Sequence, residues 1–217
     1  VTRTPGCGCR AASRPIVPSD SAVPSDSASP SGPVLVVAGP GSGKTAAYAL
    51  PLLQRWQLSA GSGPRRTRAL VLVPTRELAA QVGEVLRSLA QPMQPRPKLV
   101  VAFGGVSINP QLMALRGGAD VVVATPGRLL DLVDHNGLRL DNVERLVLDE
   151  ADRLLDLGFA DELARVQALL PARRQNLLFS ATFPAAVESL AREMLHEPVR
   201  IDVPTLAGKA AIDIPEG

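Results

Sequence analysis

Lysine is nearly absent: only Lys44, Lys98 and Lys209 accompany the arginines among 23 basic residues. With 21 acidic residues the formal net charge is +2. No chain-wide basic field therefore announces a nucleic-acid partner, and any such contact must be local. Cysteine is confined to Cys7 and Cys9, one residue apart. Two thiols cannot complete a four-ligand structural zinc site, and they do not staple a chain of this size, so a reducing, cytoplasmic setting is expected. The two histidines, His135 beside the Asn136-Gly137 turn and His196 near a helix end, have no metal partner in sequence. No apolar run approaches the roughly 18 residues of a membrane span, so no membrane association is expected.

What is present is ordinary for a globular domain: 217 residues, 46% hydrophobic and 20% charged, enough for one well-buried unit. Residues 1–33 are Pro, Ser, Ala and Gly with scattered Arg and no periodicity, and they read as a disordered tail. An organelle transit peptide is the alternative, but the prolines would break its amphipathic helix. From Val34 the chain alternates between element types. Strands are expected at Val34–Ala38, Arg68–Val73, Leu99–Phe103, Asp120–Ala124, Val143–Leu148, Asn176–Phe179 and Val199–Val203. Helices are expected between them, from Lys44 to about Trp56, Thr75 to Ala90, Pro110 to Arg116, Pro126 to Val133, along the stretch to Leu170, and Pro184 to Leu195. Such alternation implies a mostly parallel sheet between two helical layers, a three-layer α/β/α domain over residues 34–204, with ligands at the carboxyl ends of its strands. Residues 205–217 read as a linker.

After the first strand comes Ala38-Gly39-Pro40-Gly41-Ser42-Gly43-Lys44-Thr45. Glycines let successive backbone N–H groups curl around phosphate oxygens, a lysine meets the β and γ phosphates, and a hydroxyl holds Mg²⁺. Candidate nucleotide-binding residues are thus Gly41, Ser42, Gly43, Lys44 and Thr45. Pro40 removes one N–H from this loop. The fifth strand ends in Asp149-Glu150-Ala151-Asp152. Two carboxylates on a buried strand end can hold a Mg²⁺ shell (Asp149) and polarise an attacking water (Glu150), or can serve a helix that favours acids in its first turn.

Asp149 to Asp152 spells D-E-A-D, and the chain resembles the DEAD-box RNA helicases. Pro74 to Gln81 looks like that family's motif Ia, Gly104-Gly105 its GG element, Thr125 to Leu129 its motif Ib, and Ser180-Ala181-Thr182 its motif III. The runs Phe103 to Leu115, Arg128 to Asp131 and Leu170 to Phe183 look most like the RhlE-type bacterial subgroup. The resemblance covers about residues 42–203, with the motifs in family order. It implies a RecA-like P-loop domain of an ATPase that uses ATP and Mg²⁺, with Lys44, Asp149 and Glu150 catalytic and Thr45 and Asp149 at the metal, partly through water. It further implies that Ser180 and Thr182 bond toward Asp152, coupling the ATP site to RNA. Thr75, Arg76, Gly105, Thr125 and Arg128 would hold the RNA sugar-phosphate backbone. Read directly, both threonines open helices, where hydroxyls and free N–H groups suit anionic oxygens or simply cap the helix. The two arginines lack an aromatic platform, so the binding expected is sequence-independent. The further cluster Arg65, Arg66, Arg68 reads as a solvated loop that could also touch RNA.

Two features depart from the family pattern. Its adenine-reading Q motif has no counterpart, since no Gln precedes Gln54 and no aromatic precedes Tyr48. Motifs IV to VI, with their arginine finger, belong to a second RecA-like domain that does not follow before Gly217. The expectation is an RNA helicase domain that, by itself, binds nucleotide weakly and hydrolyses it poorly. A non-catalytic nucleotide- or RNA-binding fragment is the alternative.

Overall fold

The structure, a computed structural model, describes residues 32–59 and 63–204. The expected linker and all but the last two residues of the expected tail lie outside that range. Those two are built into the domain: the Gly32 carbonyl accepts from Gln175 Nε2 (2.8 Å) and the Pro33 carbonyl from the Val199 N–H (3.0 Å).

Among the described residues seven strands form one sheet: β1 (Val34–Ala38), β2 (Ala69–Leu72), β3 (Leu99–Ala102), β4 (Val121–Ala124), β5 (Arg145–Leu148), β6 (Gln175–Ser180) and β7 (Val199–Val203). Between these strands lie the helices α1 (Lys44–Ser59), α2 (Arg76–Ala90), α3 (Asn109–Leu115), α4 (Pro126–Asp134), α5 (Ala151–Asp156), α6 (Ala160–Leu169) and α7 (Ala185–Met194). Every pairing among the described residues is parallel, in the order β3-β4-β2-β5-β6-β1-β7. No helix among them is long and apolar enough to cross a membrane.

The layering follows from the order of travel. From β1 the chain steps through β2 to the β3 edge, then reverses and walks back to β7. Crossovers of one hand place helices on opposite faces for opposite directions of travel. Accordingly α1 and α2 pack on one face, with Leu52, Leu53, Val82 and Leu86 against Val71, Val123 and Val147. The later helices pack on the other, with Leu129, Leu132, Leu154 and Val187 against Leu70, Leu72, Val122 and Leu146. Alternation at period two supplies both faces, and because both are covered the strands are apolar throughout.

Helix α1 runs three residues beyond the expected end at Trp56 and carries Pro51 inside it. Proline removes a single helical N–H, and the burial of Tyr48, Leu52, Leu53 and Trp56 along one side holds the helix through it.

Candidate active site

The loop after β1 turns on two glycines in the left-handed region, Gly41 (φ +73°) and Gly43 (φ +84°), where a side chain would be strained. Ser42 Oγ donates to the Gly39 carbonyl at 2.7 Å. The Gly43 carbonyl opens α1 by accepting from the Ala47 N–H at 3.0 Å. Lys44 folds back over the loop, its Nζ donating to the carbonyls of Ala38 (2.6 Å) and Gly39 (3.0 Å).

β5 delivers Asp149 two strands away, with β6 between. Its N–H donates to the Leu72 carbonyl (2.9 Å), and the side chain is 2% exposed. Oδ1 accepts from the Glu150 N–H at 2.9 Å, and Oδ2 accepts from the Tyr48 hydroxyl at 2.8 Å. Tyr48 lies on α1 one turn after Lys44, is fully buried, and meets Phe179 of β6 edge-on with ring centroids 5.1 Å apart. Burial, followed by the Asp149 charge, pushes its phenol far above the usual range, so it remains a donor. The Thr45 side chain, on the same helix, opposes that rise. Lys44, Thr45, Asp149 and Glu150 therefore converge at the carboxyl ends of β1 and β5. Sequence reasoning overlooked Tyr48, although its i+4 spacing from Lys44 on one helix was a usable signal.

The electrostatics suit a cation. Burial raises the Asp149 carboxyl above the ordinary range, opposed by the Tyr48 hydroxyl, the Glu150 N–H and the Lys44 charge. Among the described residues no group of three or more His, Cys, Asp and Glu could hold a metal. Mg²⁺ needs no such cage, because it commonly takes one or two carboxylates plus substrate phosphates and water. Asp149 with the Thr45 hydroxyl fits that pattern. Glu150 sits at φ +50°, a left-handed conformation costing a non-glycine residue about 1–3 kcal/mol. Arg153 holds its Oε2 at 2.9 Å.

Asp152 is tied to the end of β6. Its Oδ2 accepts from the Thr182 N–H (2.9 Å) and hydroxyl (2.7 Å), and its own N–H donates to Ser180 Oγ (3.3 Å). Burial alone would raise this carboxyl, but Thr182, the Arg153 N–H and Ser180 together hold it below the usual range.

The remaining candidates occupy the other half of the same rim, after β2, β3 and β4. Thr75 caps α2, its Oγ1 accepting from the Leu78 N–H at 3.2 Å. Arg76 is exposed and pairs with Glu77 at 2.7 Å. Gly105 is exposed in the left-handed region at φ +79°. Thr125 opens α4 without a side-chain capping bond and is 9% exposed. Arg128 departs from expectation. Rather than presenting its charge outward it is 8% exposed, and Nη2 donates to the Val106 carbonyl at 2.7 Å. Its Nε lies 3.4 Å from Asp131 Oδ2, an ion pair too misaligned to be a hydrogen bond. Three residues of α4 buried beside it (Leu129, Leu130, Leu132) draw this side inward. Gln111, also missed in sequence, braces the same loop through the Phe103 N–H (3.2 Å) and carbonyl (3.1 Å).

Fold and site together define a phosphate-loop α/β domain with an acidic strand end poised beside the loop. Residues 24–190 match the DEAD/DEAH box helicase family, and the chain belongs to it. It is 48% identical over 174 residues to a Dictyostelium discoideum protein named "Probable ATP-dependent RNA helicase ddx27", covering 80% of this chain and 22% of that one. It is 45% identical over 170 residues to the ATP-dependent RNA helicase DbpA of Escherichia coli, covering 78% and 36%. Among solved structures, the yeast DEAD-box splicing factor Prp28 superposes with a TM-score of 0.75 at 33% identity, over 82% of this chain and 43% of that one. A DEAD box protein from Methanococcus jannaschii gives 0.69 at 35% identity, over 78% and 45%. The chain thus spans about a fifth to a third of the length of these curated relatives.

Proposed function

We propose that this chain is the nucleotide-binding domain of an ATP-dependent RNA helicase, which with a second RecA-like domain couples ATP hydrolysis to RNA duplex unwinding. The observation that carries the reading is the Tyr48–Asp149 hydrogen bond, which pins the phosphate-loop helix to the acidic end of β5. Gly41 to Thr45 cradle the phosphates, and Lys44 exchanges its two loop carbonyls for phosphate oxygens. Thr45, and Asp149 partly through water, would hold Mg²⁺, which would supply charge neutralisation at those oxygens. Glu150 accepts a hydrogen bond from the attacking water and orients it toward the terminal phosphorus.

Asp152, through Ser180 and Thr182, links this chemistry to the half of the rim where Thr75, Arg76, Gly105 and Thr125 would take RNA phosphates. Arg128 then acts from below, by holding the Val106 carbonyl. Phosphate contacts of this kind fix position without reading sequence. The RhlE-type placement is our reading of the sequence runs named above, since the relatives are both eukaryotic and bacterial. A cytoplasmic setting rests on thiol usage alone.

The test is titration of a fluorescent ATP analogue with Mg²⁺ into the chain, with GTP as competitor, followed by hydrolysis assays with RNA and an added second domain. Saturable binding lost in Lys44→Ala, and hydrolysis that needs Glu150, support the enzyme. Binding without hydrolysis under all these conditions supports a non-catalytic module. GTP competing as well as ATP would fit the missing Q motif.

A further inference from the structure

At the amino ends of β2, β4 and β5, away from the nucleotide rim, the surface folds into a cleft of about 500 Å³. Its rim carries three arginines, Arg65, Arg66 and Arg139, against one lining carboxylate, Asp141. Arg65 Nε lies 3.4 Å from Asp120 Oδ2, and Arg139 Nη2 donates to Asp141 at 3.3 Å with the arginine side chain 85% exposed. Arg66 gives Nη1 only to the Asn142 amide oxygen, at 3.1 Å, and has no carboxylate partner among the described residues. An exposed guanidinium fork offers paired donors that match a carboxylate.

The floor is aliphatic: Leu115, Ala119 and Leu138 are each almost wholly buried and line the cleft from below. Two glycines set its walls. Gly118 is left-handed at φ +82°, and a Cβ there would collide with the Arg65 carbonyl oxygen. Gly137 donates its N–H to the Leu132 carbonyl at 2.8 Å, and a Cβ there would collide with Leu112. The cleft is therefore formed before any ligand arrives, which lowers the ordering cost of binding.

The lining discriminates between polyanions. Among the described residues no aromatic ring lines the cleft, so bases would find no stacking platform. An aliphatic floor under a rim of guanidinium and amide groups instead matches an extended peptide with carboxylates and one apolar side chain. We infer that this cleft docks an acidic peptide segment of a partner protein, with its carboxylates on Arg66 and Arg139 and an aliphatic side chain over Leu138. The site is separate from the nucleotide rim and stands whether or not the chain hydrolyses ATP.

Fluorescence anisotropy at low ionic strength, with the full chain and a labelled Glu-rich peptide bearing one central Leu, tests the inference. Saturable binding is expected, weakened about ten-fold or more in Arg66→Glu/Arg139→Glu and in Gly118→Ala, and several-fold when the peptide's Leu becomes Ser. Because both arginines are exposed, the double variant should keep the parent's thermal midpoint and its affinity for an ATP analogue. Absence of saturable binding overturns the inference, as does binding unchanged in the double variant. Displacement by oligouridylate that depends on these two arginines also overturns it, assigning the cleft to RNA.

Discussion

Replacing Tyr48 by Phe removes one oxygen from the interior and leaves the ring on Phe179, so no cavity of consequence opens. What is lost is a hydrogen bond to a carboxylate that is 2% exposed and already lifted by burial. A hydrogen bond to a charged group is worth about 1.5–3 kcal/mol net. For a domain of this size each kcal/mol moves the midpoint by about 2–4 °C, so Tyr48→Phe should unfold about 3–12 °C lower at neutral pH. The deficit should shrink in acid, because a protonated Asp149 needs the phenol less. Thermal unfolding of the two proteins across pH, followed by circular dichroism, reads both effects. A midpoint within about 1 °C of the parent at neutral pH would refute the reasoning, since it would leave the buried bond without energetic weight.

The two aspartates of one short motif should answer the same Asn substitution oppositely. Asp149 has a raised folded value, so its stabilising contribution is complete below the ordinary carboxylate range and is lost as pH climbs through the raised value. Asp149→Asn should therefore raise the neutral-pH midpoint while weakening Mg²⁺-dependent nucleotide binding, and the gain should vanish toward acid. Asp152 has a lowered value, so its contribution is present above the ordinary range and lost as pH falls through the lowered one. Asp152→Asn should cost about 1–3 kcal/mol at neutral pH in chemical denaturation, and Thr182→Val should reproduce most of that cost. Arg128→Ala should lower stability by about 1–3 kcal/mol and loosen the loop around Val106, read as faster amide exchange there.

Much of this molecule was legible in the chain because parallel strands buried on both faces must be apolar and short. Val34–Ala38 and Val199–Val203 match the expected spans to the residue. Among the other strand ends Leu99, Ala124 and Leu148 also match, and the rest differ by one or two positions, because the last ladder hydrogen bond, rather than the last apolar residue, ends a strand. The phosphate loop was legible because its glycines have no substitute at positive φ. The acidic strand end was legible as two carboxylates closing a buried strand, the Ser180–Thr182 tie came from motif resemblance, and hydrogen bonds join Asp152 to both of those residues.

What stayed hidden depends on strand order. Tyr48 meets Asp149 only because β1 and β5 flank β6, which no local pattern encodes. The inward turn of Arg128 depends on a loop 22 residues away. The arginine cleft likewise assembles from segments around residues 65, 118 and 139, each a plain polar loop in sequence.

The convergence of the phosphate loop and the acidic strand end is tested most directly by a double-mutant cycle. ATP affinity with Mg²⁺ would be measured for the parent, Lys44→Ala, Asp149→Ala and the double variant. Groups sharing one pocket should couple by at least about 1 kcal/mol, the double variant losing less than the two single losses combined. Strict additivity would contradict the shared site.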